Sequence, residues 1–131
     1  MKLKIACGTD DGENFTNNHF GDSSKFLIYE YDSESQNIEF VEKIENNSED
    51  EEEHGDIKKA RSISTVLQDI SILVAFVMGP NITRMRKKFV PVVSREKDIL
   101  KTLEKIKEDL PEMINEINLP KGQDKKIFII N

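Results

Sequence analysis

One cysteine, Cys7, stands in the 131-residue chain, and a single thiol cannot close an internal disulfide or supply the several thiolates that hold an iron–sulfur cluster permanently. Long apolar runs are missing as well. The longest, Ile72 to Met78, has the length of a strand and falls far short of the roughly 20 residues that cross a bilayer. The start, Met1–Lys2–Leu3–Lys4, leads straight into an alternating pattern with no apolar signal segment, so the expected location is cytoplasmic and no membrane partner is expected. Positive charge is in deficit: 19 Lys and Arg face 25 Asp and Glu, a net charge of -6 that repels phosphate backbones and argues against nucleic acid as a partner. No internal repeat is apparent. The length suits one domain, 1–131, in which 111–131 reads as a C-terminal extension.

What is present reads as α/β. Leu3, Ile5 and Cys7 alternate with Lys2, Lys4 and Ala6, the period of a strand with one face buried. A polar stretch, Asp10 to Ser24, interrupts with turn-forming residues before a second strand at Phe26–Tyr31 and a third at Ile38–Ile44, joined as an antiparallel hairpin across Asp32–Asn37. The run from Asn46 to His54 is acidic and self-repelling, which predicts a mobile loop. Asp56 then caps a helix carrying Ile57, Ala60, Ile63, Val66, Leu67 and Ile70 at helical spacing. Ile72–Val77 is apolar on both faces, as a central parallel strand covered by helices must be, and this predicts a three-layer α/β/α arrangement. Pro80 is placed at the first position of a short helix, Phe89–Val93 is a fifth strand, and Ser94 caps a long helix with apolar positions from Ile99 to Ile117 that Pro111 should kink or break near its middle. Ile127–Ile130 is either an added edge strand or a surface for a homodimer.

Read in order, these pieces resemble the dinitrogenase iron-molybdenum cofactor-binding family, with its nitrogenase accessory factor-like members, over Met1 to about Ile106. The resemblance is carried by Ile5–Ala6–Cys7–Gly8–Thr9–Asp10, by His19–Phe20–Gly21, by the aromatic strand Phe26–Leu27–Ile28–Tyr29, by His54–Gly55 and by Gly79–Pro80–Asn81. Asn18 stands where such proteins often have Pro, and Phe76–Val77–Met78 where they often carry glycines. The resemblance implies a ribonuclease H-like fold with a five-stranded mixed sheet in the order 3-2-1-4-5, strand two antiparallel. It also implies that the chain is not an enzyme but a binding, carriage or storage protein for an iron-molybdenum or related iron–sulfur cluster, loosely bound, with cluster donor or acceptor proteins as partners.

In that sheet order strands one and four are neighbours whose connections leave in opposite directions, and open α/β sheets bind ligands at the carboxyl ends of such strands. Gly8, Thr9, His19, Phe20, Gly21, Gly79, Pro80 and Asn81 then become the candidate cofactor-binding set, with His19, His54 and Cys7 as candidate metal ligands. An imidazole suits iron and other transition metals, but His19 also reads as a histidine that orders its own loop, and His54 as a solvated one. Cys7 is the softest donor, yet its phase with Leu3 and Ile5 points it inward as a small hydrophobe. Phe20 reads as a plug that anchors the loop, Gly21 as a turn residue with positive φ. Gly79–Pro80–Asn81 offers helix-start N–H groups to an anion or merely starts a helix, and Arg84, Arg86, Lys87 and Lys88 form a local basic patch.

Two other functions are readable. A protein-interaction or regulatory domain without metal needs only the fold and the extension. A magnesium-dependent phosphoryl-transfer enzyme would need Asp10, Asp11, Asp22 and Asp56 to converge on two metal ions.

Overall fold

The protein is described here by a computed structural model, in which residues 1–46 and 67–131 are described. The acidic run, His54, Asp56 and most of the helix expected after it lie outside the described residues.

The alternation at the start builds β1 (Lys2–Thr9). Its odd side chains, Leu3, Ile5 and Cys7, enter one apolar cluster, while Ala6 enters a second on the opposite face. β2 (Lys25–Asp32) runs antiparallel to β1, and β3 (Asn37–Glu45) antiparallel to β2. Their turn is tighter than expected, with Gln36 at φ 62 and its N–H donating to the Asp32 carbonyl at 2.7 Å. A register shift falls between Ile28 and Tyr29, and the outward residues Phe40 and Val41 are exposed on this edge strand. Bulges and charged side chains are the usual means by which an edge strand avoids pairing with another chain.

β4 (Ile72–Ala75) has all four residues buried and pairs in parallel with β1, Ile5 opposite Ile72 and Cys7 opposite Val74. Burial on both faces follows from its place in mid-sheet: Ile72 and Val74 join one cluster, Leu73 and Ala75 the other. A four-residue helix, α1 (Ile82–Met85), leads to β5 (Val90–Ser94), which pairs in parallel with β4. The sheet order is β3-β2-β1-β4-β5-β6, with β2 antiparallel to the rest.

The sheet therefore has six strands rather than five. β6 (Phe128–Ile130) adds in parallel to the outside of β5, so the apolar tail is an edge strand. Phe128 and Ile130 are buried and Ile129 is exposed, which is the alternation an edge strand over a core requires.

The long helix is two helices, α2 (Ile99–Ile106) and α3 (Leu110–Ile117). The expected alternatives at Pro111 thus resolve to a break: Pro111 sits in the first turn of α3, where its missing N–H costs nothing. Asp98 caps α2 in place of Ser94, its carboxylate accepting from the Lys101 N–H at 2.9 Å. Ser94 ends β5 instead, donating to the Glu96 carbonyl at 2.7 Å. Ile99, Leu103 and Ile106 from α2 and Leu110 and Met113 from α3 fill the same cluster as Leu3 and Ile5. Each such buried aliphatic side chain contributes about 1.5–3 kcal/mol.

Candidate functional site

The carboxyl ends of β1 and β4 lie side by side, and the loop after β1 folds back over both. Thr9 is buried at the turn, where its hydroxyl donates to the Asn14 carbonyl at 2.6 Å and accepts from the Gly12 N–H at 2.9 Å. The Thr16 N–H donates to the Gly8 carbonyl at 3.2 Å. Residues 13–15 are stitched to the turn before α2 by Phe15 N–H to the Lys97 carbonyl at 2.9 Å and Ile99 N–H to the Glu13 carbonyl at 3.0 Å.

Asp10 and Asp11 hold this loop in shape. Asp11 accepts from the Glu13 and Asn14 N–H groups, each at 2.8 Å, and these donors, Asn14 first, pull its carboxyl down to about 2. Asp10 accepts from the Thr16 hydroxyl at 2.7 Å and from the Ser24 N–H and hydroxyl at 2.8 Å, which hold its carboxyl below the usual range, Thr16 most strongly. Their oxygens are committed to turns, and among the described residues no three His, Cys, Asp or Glu side chains gather as a metal-ion site.

His19 is exposed, but its backbone is not loose. It forms a parallel bridge with Val77, just beyond β4, and the next N–H, of Phe20, donates to the Val77 carbonyl at 2.9 Å. Phe20 is fully buried against Phe26, ring centroids 5.0 Å apart. It opens a single 3-10 turn, Phe20–Asp22, closed by the Ser23 hydroxyl donating to the Phe20 carbonyl at 2.7 Å. Gly21 is buried in that turn without the positive φ expected of it.

The left-handed glycine against His19 is Gly79, at φ +89. A Cβ built there would lie 2.7 Å from Cγ and 2.9 Å from Nδ1 of His19, so the imidazole rests directly on the Gly79 backbone. Gly8 plays a second packing role: a Cβ on it would meet Ser23 Oγ at 2.3 Å. Two glycines thus let β1, β4 and the His19 loop approach closely, and neither could be replaced by a larger residue without displacing that loop.

The other candidates separate from this mouth. Cys7 is fully buried in the sheet, and burial pushes its thiol pKa up, so it presents no thiolate to a ligand. Pro80 precedes the short helix, which begins at Ile82 with Asn81 at its cap, so Pro80 does not occupy the first helical position. Asn81 is 9% exposed, and among the described residues its Oδ1 has no hydrogen-bond partner. Of the basic patch, Arg86 donates to the Lys125 carbonyl at 2.8 Å and Lys87 pairs with Asp124 at 2.9 Å, tying the tail to the α1–β5 turn.

Two contributors carry no local signal in the sequence. Asn46, expected in the mobile run, instead ends β3 with its amide donating to the Gly21 carbonyl at 2.9 Å and the Ser23 carbonyl at 2.8 Å, locking the turn beneath His19. Lys97 donates to Asn17 Oδ1 and sits 5.2 Å from the Phe76 ring centroid. Only long-range contact brings either to the site.

Among the described residues, the result is one solvent-facing imidazole held on a rigid rim at the junction of two strands. A nitrogen donor of this kind can fill an open position on a preformed cluster; by itself it cannot assemble a cluster from free ions. No curated protein and no solved structure matches the chain at a significant level. A family model described as dinitrogenase iron-molybdenum cofactor matches residues 1–109, which cover β1 to α2 and every residue of the His19 mouth named above. The chain belongs to the dinitrogenase iron-molybdenum cofactor family.

Proposed function

We propose that the chain binds, carries or stores an iron-molybdenum or related iron–sulfur cluster without catalysing a reaction on it, and that His19 is the attachment point. The observation that carries this reading is the His19 imidazole itself: exposed, resting on the Gly79 backbone, and fixed through Val77 at the carboxyl ends of β1 and β4. Family membership supplies the class of cargo. The cluster is cargo rather than a structural part, because the two apolar clusters fill without any metal ligand. A ribonuclease H-like classification is part of this proposal, consistent with the order and directions of β3, β2, β1, β4 and β5. So are a cytoplasmic location and exchange with cluster donor and acceptor proteins.

Catalysis by paired carboxylates is poorly served, since Asp10 and Asp11 spend their oxygens on turn hydrogen bonds. The test is anaerobic loading with an iron-molybdenum-type cluster followed by desalting. Wild-type protein should retain cluster and His19→Ala should lose most of it, with stability within about 1 kcal/mol because no buried partner is lost. Equal retention by the two folded proteins would transfer preference to a metal-free interaction domain.

A further inference from the structure

We propose that the loop after β1 and the turn before α2 form a second site, separate from the His19 mouth, that binds a free amino acid with a basic side chain. The inference goes beyond the function proposed above and does not rest on it.

A cleft of about 410 Å³ is lined by Asp10, Asp11, Asn17 and Lys97, with the buried Phe15 among them. That volume accommodates one small molecule. The cleft belongs to the other face of the sheet from the His19 turn. Phe15 is part of the apolar cluster of Leu3 and Ile5, and Phe76, which the Lys97 ammonium faces, packs against that cluster; Phe20, next to His19, is part of the opposite one.

The charges lining it are held apart. Lys97 donates to Asn17 Oδ1 and stands 5.2 Å from the Phe76 ring centroid. Asp10 and Asp11 are fixed by the turn hydrogen bonds described above, Thr16 and Asn14 foremost, which hold both carboxyls low and therefore ionised at neutral pH. Among the described residues none of the three has an opposite charge within 4.0 Å, whereas Lys43, Lys87, Lys105, Lys107 and Lys126 each do.

Opposite charges in one cleft, each pinned by its own hydrogen bonds and so unable to close on the other, are preorganised for a ligand that carries both signs. The two segments are themselves joined by the Phe15 N–H to the Lys97 carbonyl and the Ile99 N–H to the Glu13 carbonyl, at 2.9 and 3.0 Å. Asp11 Oδ2 accepts only from Asn14 Nδ2, at 3.3 Å, which leaves it room for an ammonium group. An amino-acid zwitterion sets its carboxylate on Lys97 and its ammonium on Asp11. With two carboxylates against one ammonium the cleft stays net negative, so a second cation on the ligand is favoured and an acidic side chain is repelled.

L-lysine serves as the probe, titrated into the isotope-labelled full chain and followed by amide shifts in NMR spectra, with cadaverine, which lacks the carboxylate, and hexanoate, which lacks the amines, as controls. L-lysine should shift the amides of residues 10–17 and of Lys97 saturably, and each control should bind at least about tenfold more weakly, as loss of a charge-assisted hydrogen bond implies. Lys97→Gln should weaken L-lysine about tenfold and leave cadaverine unchanged, whereas Lys97→Arg should retain L-lysine. His19→Ala should bind L-lysine as wild type does, while cluster retention by that variant reports the proposed function separately. Absence of saturable shifts up to about 20 mM L-lysine overturns the proposal. So does cadaverine binding as tightly as L-lysine, which would make the cleft a simple sink for cations. Wild-type affinity in folded Lys97→Gln, or equal loss in Lys97→Gln and Lys97→Arg, also overturns it, since the Lys97 charge would then hold no carboxylate.

Discussion

Replacing Gly79 by alanine probes the contact on which the site depends. The residue sits at φ +89, which L side chains adopt at a cost of about 1–3 kcal/mol when the surroundings enforce it. A second cost is steric: the new methyl would meet His19 Cβ at 2.9 Å, Cγ at 2.7 Å and Nδ1 at 2.9 Å, each well inside ordinary carbon contact of about 3.5–4.0 Å. The backbone at His19 cannot yield freely, since the Val77 bridge and the buried Phe20 ring pin it on either side. The imidazole must therefore swing off the rim by about 1 Å to regain that contact distance. Gly79→Ala should lower unfolding free energy by about 2–4 kcal/mol in urea titration, shift the His19 ring resonances in NMR spectra, and reduce cluster retention. In a His19→Ala background the ring atoms are gone but the Cβ contact at 2.9 Å persists, so relief is partial. The double-mutant cycle should give a coupling of about 0.5–1 kcal/mol, at the low end for residues in contact. Gly79→Ala within about 0.5 kcal/mol of wild type, with unshifted His19 resonances, would refute the packing argument, since that is the scale of a surface change away from any such contact.

Asn46→Ala removes two side-chain hydrogen bonds to the Gly21 and Ser23 carbonyls and should cost about 1–3 kcal/mol in thermal or urea unfolding, while weakening cluster retention through a looser His19 turn. Wild-type stability for that variant would show that the turn stands without it. Acidification should loosen the loop at 9–16 before the sheet. The Asp10 and Asp11 carboxyls are held low, so their contribution is complete above the unfolded carboxyl value of about 3.9 and is lost as pH falls through about 2 for Asp11. Protection of the Glu13 and Asn14 amides against exchange, relative to their intrinsic rates, should fall across that window; protection unchanged below pH 2 would contradict the assigned hydrogen bonds.

Local patterns were enough to locate most of the strands. The alternation of Leu3, Ile5 and Cys7, the doubly apolar Ile72–Ala75 and the His19–Phe20–Gly21 tripeptide each carry their meaning within a few residues, because burial of one face or of two imposes a period that short sequences display. Other features needed the assembled chain. Pro111 permits either a kink or a break, and only packing of α3 on the sheet chose the second. Ile127–Ile130 suits an edge strand or a dimer surface equally, and the free edge of β5 decided in favour of a strand. Positive φ fell to Gly79 instead of Gly21, because it is the β4 exit, and not the 3-10 turn, that must reverse under the His19 ring. Asn46 and Lys97 lie 25 residues from Gly21 and 80 residues from Asn17, and no periodicity spans such separations. The sequence by itself determined the strand pattern and the presence of an imidazole on a polar loop. The tertiary structure decided that this imidazole is rigidly held and which backbone supports it, since those follow from contacts between segments remote in the chain.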